Sequence, residues 1–178
     1  GTVDLTGTDT VTLGADLVID TSAAAAADIL FDNNSTINET AAAQLELVAG
    51  AGDIRINDAF IGDLLVTSGT NISLSGTIDT DVAIDMSGAT SVTLTDSVTL
   101  ISAGNVDTPT VDGAQQLSIV SGGAVTTGIV GDSEALESLN ATGASVSTGA
   151  ITTNLDTNII ATADAAGAIT TSGAVTSN

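Results

Sequence analysis

Two columns of apolar residues recur along this chain at a spacing of about 19 residues. One runs through Ile54, Ile72, Val92, Val106, Val125, Val146 and Ile169, in steps of 18, 20, 14, 19, 21 and 23 by subtraction. The other runs through Leu45, Leu64, Val82, Val98, Leu117, Leu136 and Ile159, in steps of 19, 18, 16, 19, 19 and 23. A sustained internal period marks a repeat architecture, in which each repeat buries its apolar face against its neighbours. Within each period stand short alternating runs such as Ile54-Arg55-Ile56, Ile72-Ser73-Leu74 and Val92-Thr93-Leu94. Alternation at period two marks strands with one buried face. The runs are too short and too close together to leave room for crossover helices, and β-branched residues dominate them.

These features predict an all-β chain: a parallel β-helix, or solenoid, with coils of about 19 residues. Three short strands and three corners make one coil, and inward Val, Ile and Leu stack on their counterparts above and below. At this period the 178 residues amount to about nine coils, read as one solenoid segment over 1–178. The rival fold is a β-sandwich, which also shows turn signals every ~8–12 residues. A sandwich core usually gathers a few large rings, whereas this chain has only Phe31 and Phe60 and neither Trp nor Tyr. Gly50-Ala51-Gly52-Asp53, Ser68-Gly69-Thr70-Asn71 and Ser121-Gly122-Gly123 suit corners. Pro109, which has no N–H to give a ladder, is expected in a corner or on a distorted turn. Ala23 to Ala27 is expected as one helical turn or a bulged corner, and Leu136 to Leu139 as a local distortion.

Charge narrows the partners. One Lys or Arg stands against 22 Asp and Glu, a formal net charge of −21. Such a surface repels nucleic acid phosphates and anionic lipid head groups. A mean hydropathy of +0.44 separates the chain from acidic disordered segments. No run of about 18 apolar residues is present, so membrane insertion is not expected. The chain starts at Gly1 without a leader pattern, which fits a mature product or a piece of something longer.

Catalysis is not expected, and no catalytic or cofactor-binding residue is assigned. His and Cys are absent, which removes the Ser-His-Asp and Cys-His arrangements and the usual zinc sites. Arg55 is the one side-chain cation and is expected to point outward near Asp53 and Asp58. The best metal candidates are two corner clusters of carboxylates, Asp53, Asp58 and Asp63, and Asp79, Asp81 and Asp85. Ca²⁺ accepts such oxygen ligands in flexible numbers. The bland reading of both clusters is a solvated acidic face. Hydroxyls at Thr12, Ser73, Thr93, Thr126, Ser147 and Thr170 recur outside the buried columns. Stacked on one flat face they would form a ladder able to order water and bind ice; the bland reading is strand propensity.

The runs Gly52 to Asp58, Thr70 to Ile78, Thr90 to Leu100 and Gly167 to Asn178 resemble repeats of filamentous-haemagglutinin-like exported proteins and large bacterial surface adhesins. That resemblance implies a right-handed β-helix that acts as a long fibre or adhesive stalk outside the cell. Its expected partners are further copies of itself, head to tail or as continuing repeats, and cell-surface or matrix ligands. The alternatives are an ice-binding β-helix and a calcium-dependent surface-layer subunit. Both ends of the chain carry the strand pattern, at Thr2 to Thr6 and at Ala168 to Asn178, so both ends are expected to be covered by more of the same.

Overall fold

A computed structural model of the chain describes residues 1–163 and 168–177. The chain winds as a parallel β-solenoid with three faces. Each coil lays one strand on each face, and every strand pairing among the described residues is parallel. That pairing excludes the antiparallel sandwich.

The first face stacks Val3, Ile29, Ile54, Ile72, Val92, Val111, Val130, Ile151 and Val175 in one column. On the second face the inward column is Val11, Ile37, Ala59, Ile78, Leu100, Ile119, Ala141 and Ile159. The third face stacks Leu17, Leu45, Leu64, Ile84, Val106, Val125, Val146 and Ile169. Seven steps separate Leu17 from Ile169, so the chain makes about seven turns with part-turns at each end. The expectation of about nine is too high because the turns are not uniform. On the first face the first two steps, 3 to 29 and 29 to 54, are 26 and 25 residues by subtraction, against 18 for the next.

Both sequence columns change face partway. Ile54, Ile72 and Val92 continue to Val111, whereas Val106, Val125, Val146 and Ile169 lie on the third face. In the second sequence column, Leu64 is followed by Ile84 and not by Val82, which is 55% exposed at a corner. Leu117 is followed by Leu139, while Leu136 bridges Thr153 on another path. All three faces carry the same alternation, so a change of face shows in the linear pattern only as a short step, here the 14 residues from Val92 to Val106.

The interior is filled by these columns and their inward neighbours. Ile54, Ile72, Leu74, Ile78 and Ile84 are fully buried. Burial of each such side chain contributes roughly 1.5–3 kcal/mol relative to exposure. Phe31 fits inside an early coil, whereas Phe60 faces outward on the second face. Ala23 to Ala27 form a corner turn with no helix, and Ala26 takes φ +49°. Thr21 closes that corner by donating its hydroxyl to the Ala27 carbonyl at 2.7 Å. Pro109 occupies the corner between Val106–Thr108 and Thr110–Asp112, where no ladder donor is needed.

Inside the corner after the third face, Thr108, Thr127 and Thr148 stack in register with Thr171 below. The Thr127 and Thr148 hydroxyls donate to the carbonyls of Gly128 and Gly149, at 3.1 and 3.0 Å. Thr108 is followed by Pro109 in place of glycine, and its buried Oγ1 has no partner. An unpaired buried hydroxyl costs about 1–3 kcal/mol. Thr108→Val therefore raises stability by about 1 kcal/mol, while Thr127→Val lowers it by a similar amount, read by denaturant unfolding. Equal effects at the two positions would contradict the assignment. In the middle of the stack, Ile72→Asp places an unpartnered charge in a dry column and abolishes the cooperative transition, whereas Ser73→Asp on the outward side changes stability by less than about 0.5 kcal/mol.

Candidate functional site

At a solenoid corner the ladder is interrupted, and backbone N–H groups are left pointing along the axis at the next coil. A buried or half-buried N–H must find an acceptor. Much of this chain's acidic side-chain complement supplies it. Asp28 accepts the N–H of Asp53 at 2.9 Å, and Asp53 accepts that of Asn71 at 3.2 Å. Asp58 accepts the N–H of Thr77 at 2.7 Å. Glu39 accepts from both Ala43 and Gly62 at 2.6 Å, and Asp112 accepts from Ser133 at 2.9 Å.

Other carboxylates close turns within their own coil. The hydroxyl and then the N–H of Thr6 hold the Asp4 carboxyl below its ordinary value, and Ser22 does the same for Asp20. Asp32 is lowered by the N–H of Asn34, then by the N–H of Gly7 in the coil before it. Asp85 accepts the N–H and hydroxyl of Ser87.

The two carboxylate clusters expected from sequence are distributed over the solenoid. Asp53 precedes the first face, Asp58 starts a second-face strand, and Asp63 starts the third-face part of its strand. Asp63 accepts the Gln44 side-chain amide at 2.8 Å. Asp85 lies on the third face, in register with Asp107. Only Asp79 and Asp81 come together, in a shallow cleft of about 190 Å³ that also holds Glu39 and Phe60. Among the described residues no group of three or more acidic side chains is placed to hold a metal ion. Arg55 donates Nε–H to the Phe31 carbonyl at 2.8 Å, and its charge acts on Asp4 and Asp32.

The hydroxyls expected to form a single ladder divide among the faces. Thr12 is on the second, Ser73 and Thr93 on the first, and Thr126, Ser147 and Thr170 on the third. The face-long ladder that ice binding requires is therefore not built from these residues.

A concavity of about 630 Å³ lies on the corner between the first and second faces. It was invisible in the sequence because it arises from unequal corner lengths. Four residues, 32–35, separate the strands Ile29–Phe31 and Thr36–Glu39. One coil on, Asn57 alone separates Ile54–Ile56 from Asp58–Ile61. The next coil turns through Ser75 and Gly76, and the one after bulges at 95–97, where the register shifts between Leu94 and Val98. Two tight corners thus lie between two wide ones. Asn33 and Asn34 form one rim, Thr95, Asp96 and Ser97 the other, and Asn57, Asp58, Ser75 and Gly76 the floor. The floor is tied together: Asn57 donates to the Ser35 carbonyl at 3.2 Å and accepts the Ser75 hydroxyl at 2.7 Å. Gly76 sits at φ +71°, and a Cβ there would collide with Asp58 Oδ1.

Comparison with family models, with curated proteins and with solved structures finds no match to the chain. The solenoid agrees with the β-helix repeat implied by the resemblance, and no family match names a haemagglutinin or adhesin.

Two outcomes follow from the corner chemistry. Asp32 has a folded pKa below its unfolded value, so its contribution is present above about pH 4 and is lost as pH falls through the folded value. The loss of melting temperature below about pH 4 is accordingly smaller in Asp32→Asn than in the parent chain. An identical acid response would show that relief of repulsion or other carboxylates govern it. Separately, Gly76→Ala, which combines positive φ with a collision, costs more than about 1 kcal/mol in thermal or denaturant unfolding.

Proposed function

We propose that this chain is a segment of an extracellular structural and adhesive fibre, working as a stiff scaffold that continues end to end through further coils. One observation carries the reading: three inward apolar columns keep one parallel register through the described coils, as a repetitive scaffold requires. Within the third-face column Leu45 through Val146 are buried, while Leu17 is 37% and Ile169 52% exposed. Val175, the last member of the first-face column, is 50% exposed. A further coil in the same parallel register, from the same polypeptide or from a second copy, would cover these three residues. Head-to-tail addition of this kind is heterologous and does not close, so it produces a filament.

Composition supports a non-catalytic role in a cation-rich medium. The chain lacks His and Cys and has a net charge of −21, which keeps neighbouring fibres apart laterally while apolar columns draw their ends together. The reading requires no cofactor.

Sedimentation and electron microscopy of the isolated chain test it. Rods that lengthen with protein concentration are expected, each copy adding seven rises, about 34 Å, to the axis. A stable monomer whose first and last coils resist amide hydrogen exchange would overturn the end-to-end reading. A flat lattice that appears only with calcium would select a surface-layer subunit instead.

A further inference from the structure

The geometry points to the corner groove as a binding site for a short neutral oligosaccharide lying along the solenoid axis. This deepens the adhesive half of the proposed function and rests on it, but it does not depend on end-to-end stacking.

Size comes first. The cavity of about 630 Å³ lies within the range of small-molecule sites, about 300–1,000 Å³. Its two rims belong to the coils of Ile29 and Val92, three steps apart through Ile54 and Ile72. At the spacing of paired strands that is about 14 Å of groove. The lining contains no aromatic and no aliphatic side chain. A hydrophobic ligand would exchange water for amides and hydroxyls and gain little.

Charge removes a second class. Asp58 and Asp96 lie in the groove of a chain with net charge −21. Phosphate, sulfate and uronate groups are repelled there.

The same field attracts a cation, but both carboxylates are already engaged by donors of the fold itself. Asp58 accepts the Thr77 N–H at 2.7 Å through Oδ1 and the Asn57 amide at 3.2 Å through Oδ2. Asp96 accepts the Ser97 N–H at 2.7 Å. The groups left over are mostly amides and hydroxyls. Asn33 and Asn34 make no side-chain hydrogen bond among the described residues, although their turn is held by Asp32, which accepts the Asn34 N–H at 3.0 Å. A side-chain amide both donates and accepts. A cation can use only the acceptor, and it confronts the NH₂ groups with like polarity. Sugar hydroxyls use both. A rim fixed by its own turn and a floor tied through Asn57 and Ser75 also keep the ordering cost of binding low.

The test uses the full chain against immobilised neutral oligomers of glucose, mannose, galactose and N-acetylglucosamine, with heparin and oligolysine alongside. At least one neutral oligomer is expected to bind. The double variant Asn33→Ala, Asn34→Ala should weaken binding about tenfold or more through lost hydrogen bonds. Both positions are exposed, and circular dichroism should show the fold unchanged. Binding should be nearly indifferent to salt. No binding to any neutral oligomer, or binding that the double variant leaves intact, overturns the proposal. So does salt-sensitive binding to oligolysine alone, which would mark the groove as a basic-peptide site, or binding to heparin alone. Filament formation is scored separately by microscopy, so failure of the glycan site and failure of end-to-end stacking are distinguished.

Discussion

Parallel in-register stacking is the constraint on which the rest of this structure depends. A strand laid about 4.8 Å above its predecessor places each inward residue on the same residue of the coil below. The column from Leu45 through Leu64, Ile84, Val106 and Val125 to Val146 shows the result: Val, Ile and Leu, each buried against its own kind. No large ring is needed, because each layer repeats the same small contacts, and dispersion sums over many modest partners. The one buried ring, Phe31, sits in an early coil whose turn is longer than those that follow.

Stacking also creates the problem that the acidic side chains solve. Ladder hydrogen bonds serve the faces, but a corner turns the backbone out of register and leaves N–H groups without a carbonyl above or below. Short carboxylates reach across one coil to take them, as Asp28, Asp53 and Asp58 do. Asp4 and Asp20 instead take donors two residues on, Asp32 takes one of each kind, from Asn34 and Gly7, and the pKa values of all three are lowered by that work. Mutual repulsion among so many carboxylates is the cost of this arrangement. It is moderated because the charges are spread over the faces and corners of the solenoid, and because none of the described carboxylates is buried, so that salt screens them.

Irregularity gathers at the corners, with one bulge at the end of a third-face strand, where Leu47 pairs with Val66 and Val48 with Ser68. Strands on the three faces keep their register through turns of different length, and the chain absorbs insertions at 21–28, 32–35, 95–97 and 131–137. A face cannot take an extra residue without turning its inward set outward; a corner can. The groove between the first and second faces is a direct product of this freedom, since it lies where two short corners are stacked between two long ones.

The sequence by itself determined the fold class, the approximate coil length and the inward alternation. The contrast between a buried Ile72 or Leu74 and an outward Ser73 is local and survives in one dimension. It also placed Pro109 at a corner, through the missing N–H. Only the tertiary structure decided which column each apolar residue joins, because three faces share one alternation and corners of unequal length make a short step such as the 14 residues from Val92 to Val106 pass for an irregular coil. The same holds for the polar residues. Asp53, Asp58 and Asp63 are close in sequence yet serve different faces, whereas Asn34 and Asp96, far apart in the chain, line one groove. Proximity along a solenoid axis is set by how many residues each intervening corner consumes, and that sum is read only when the coils are stacked.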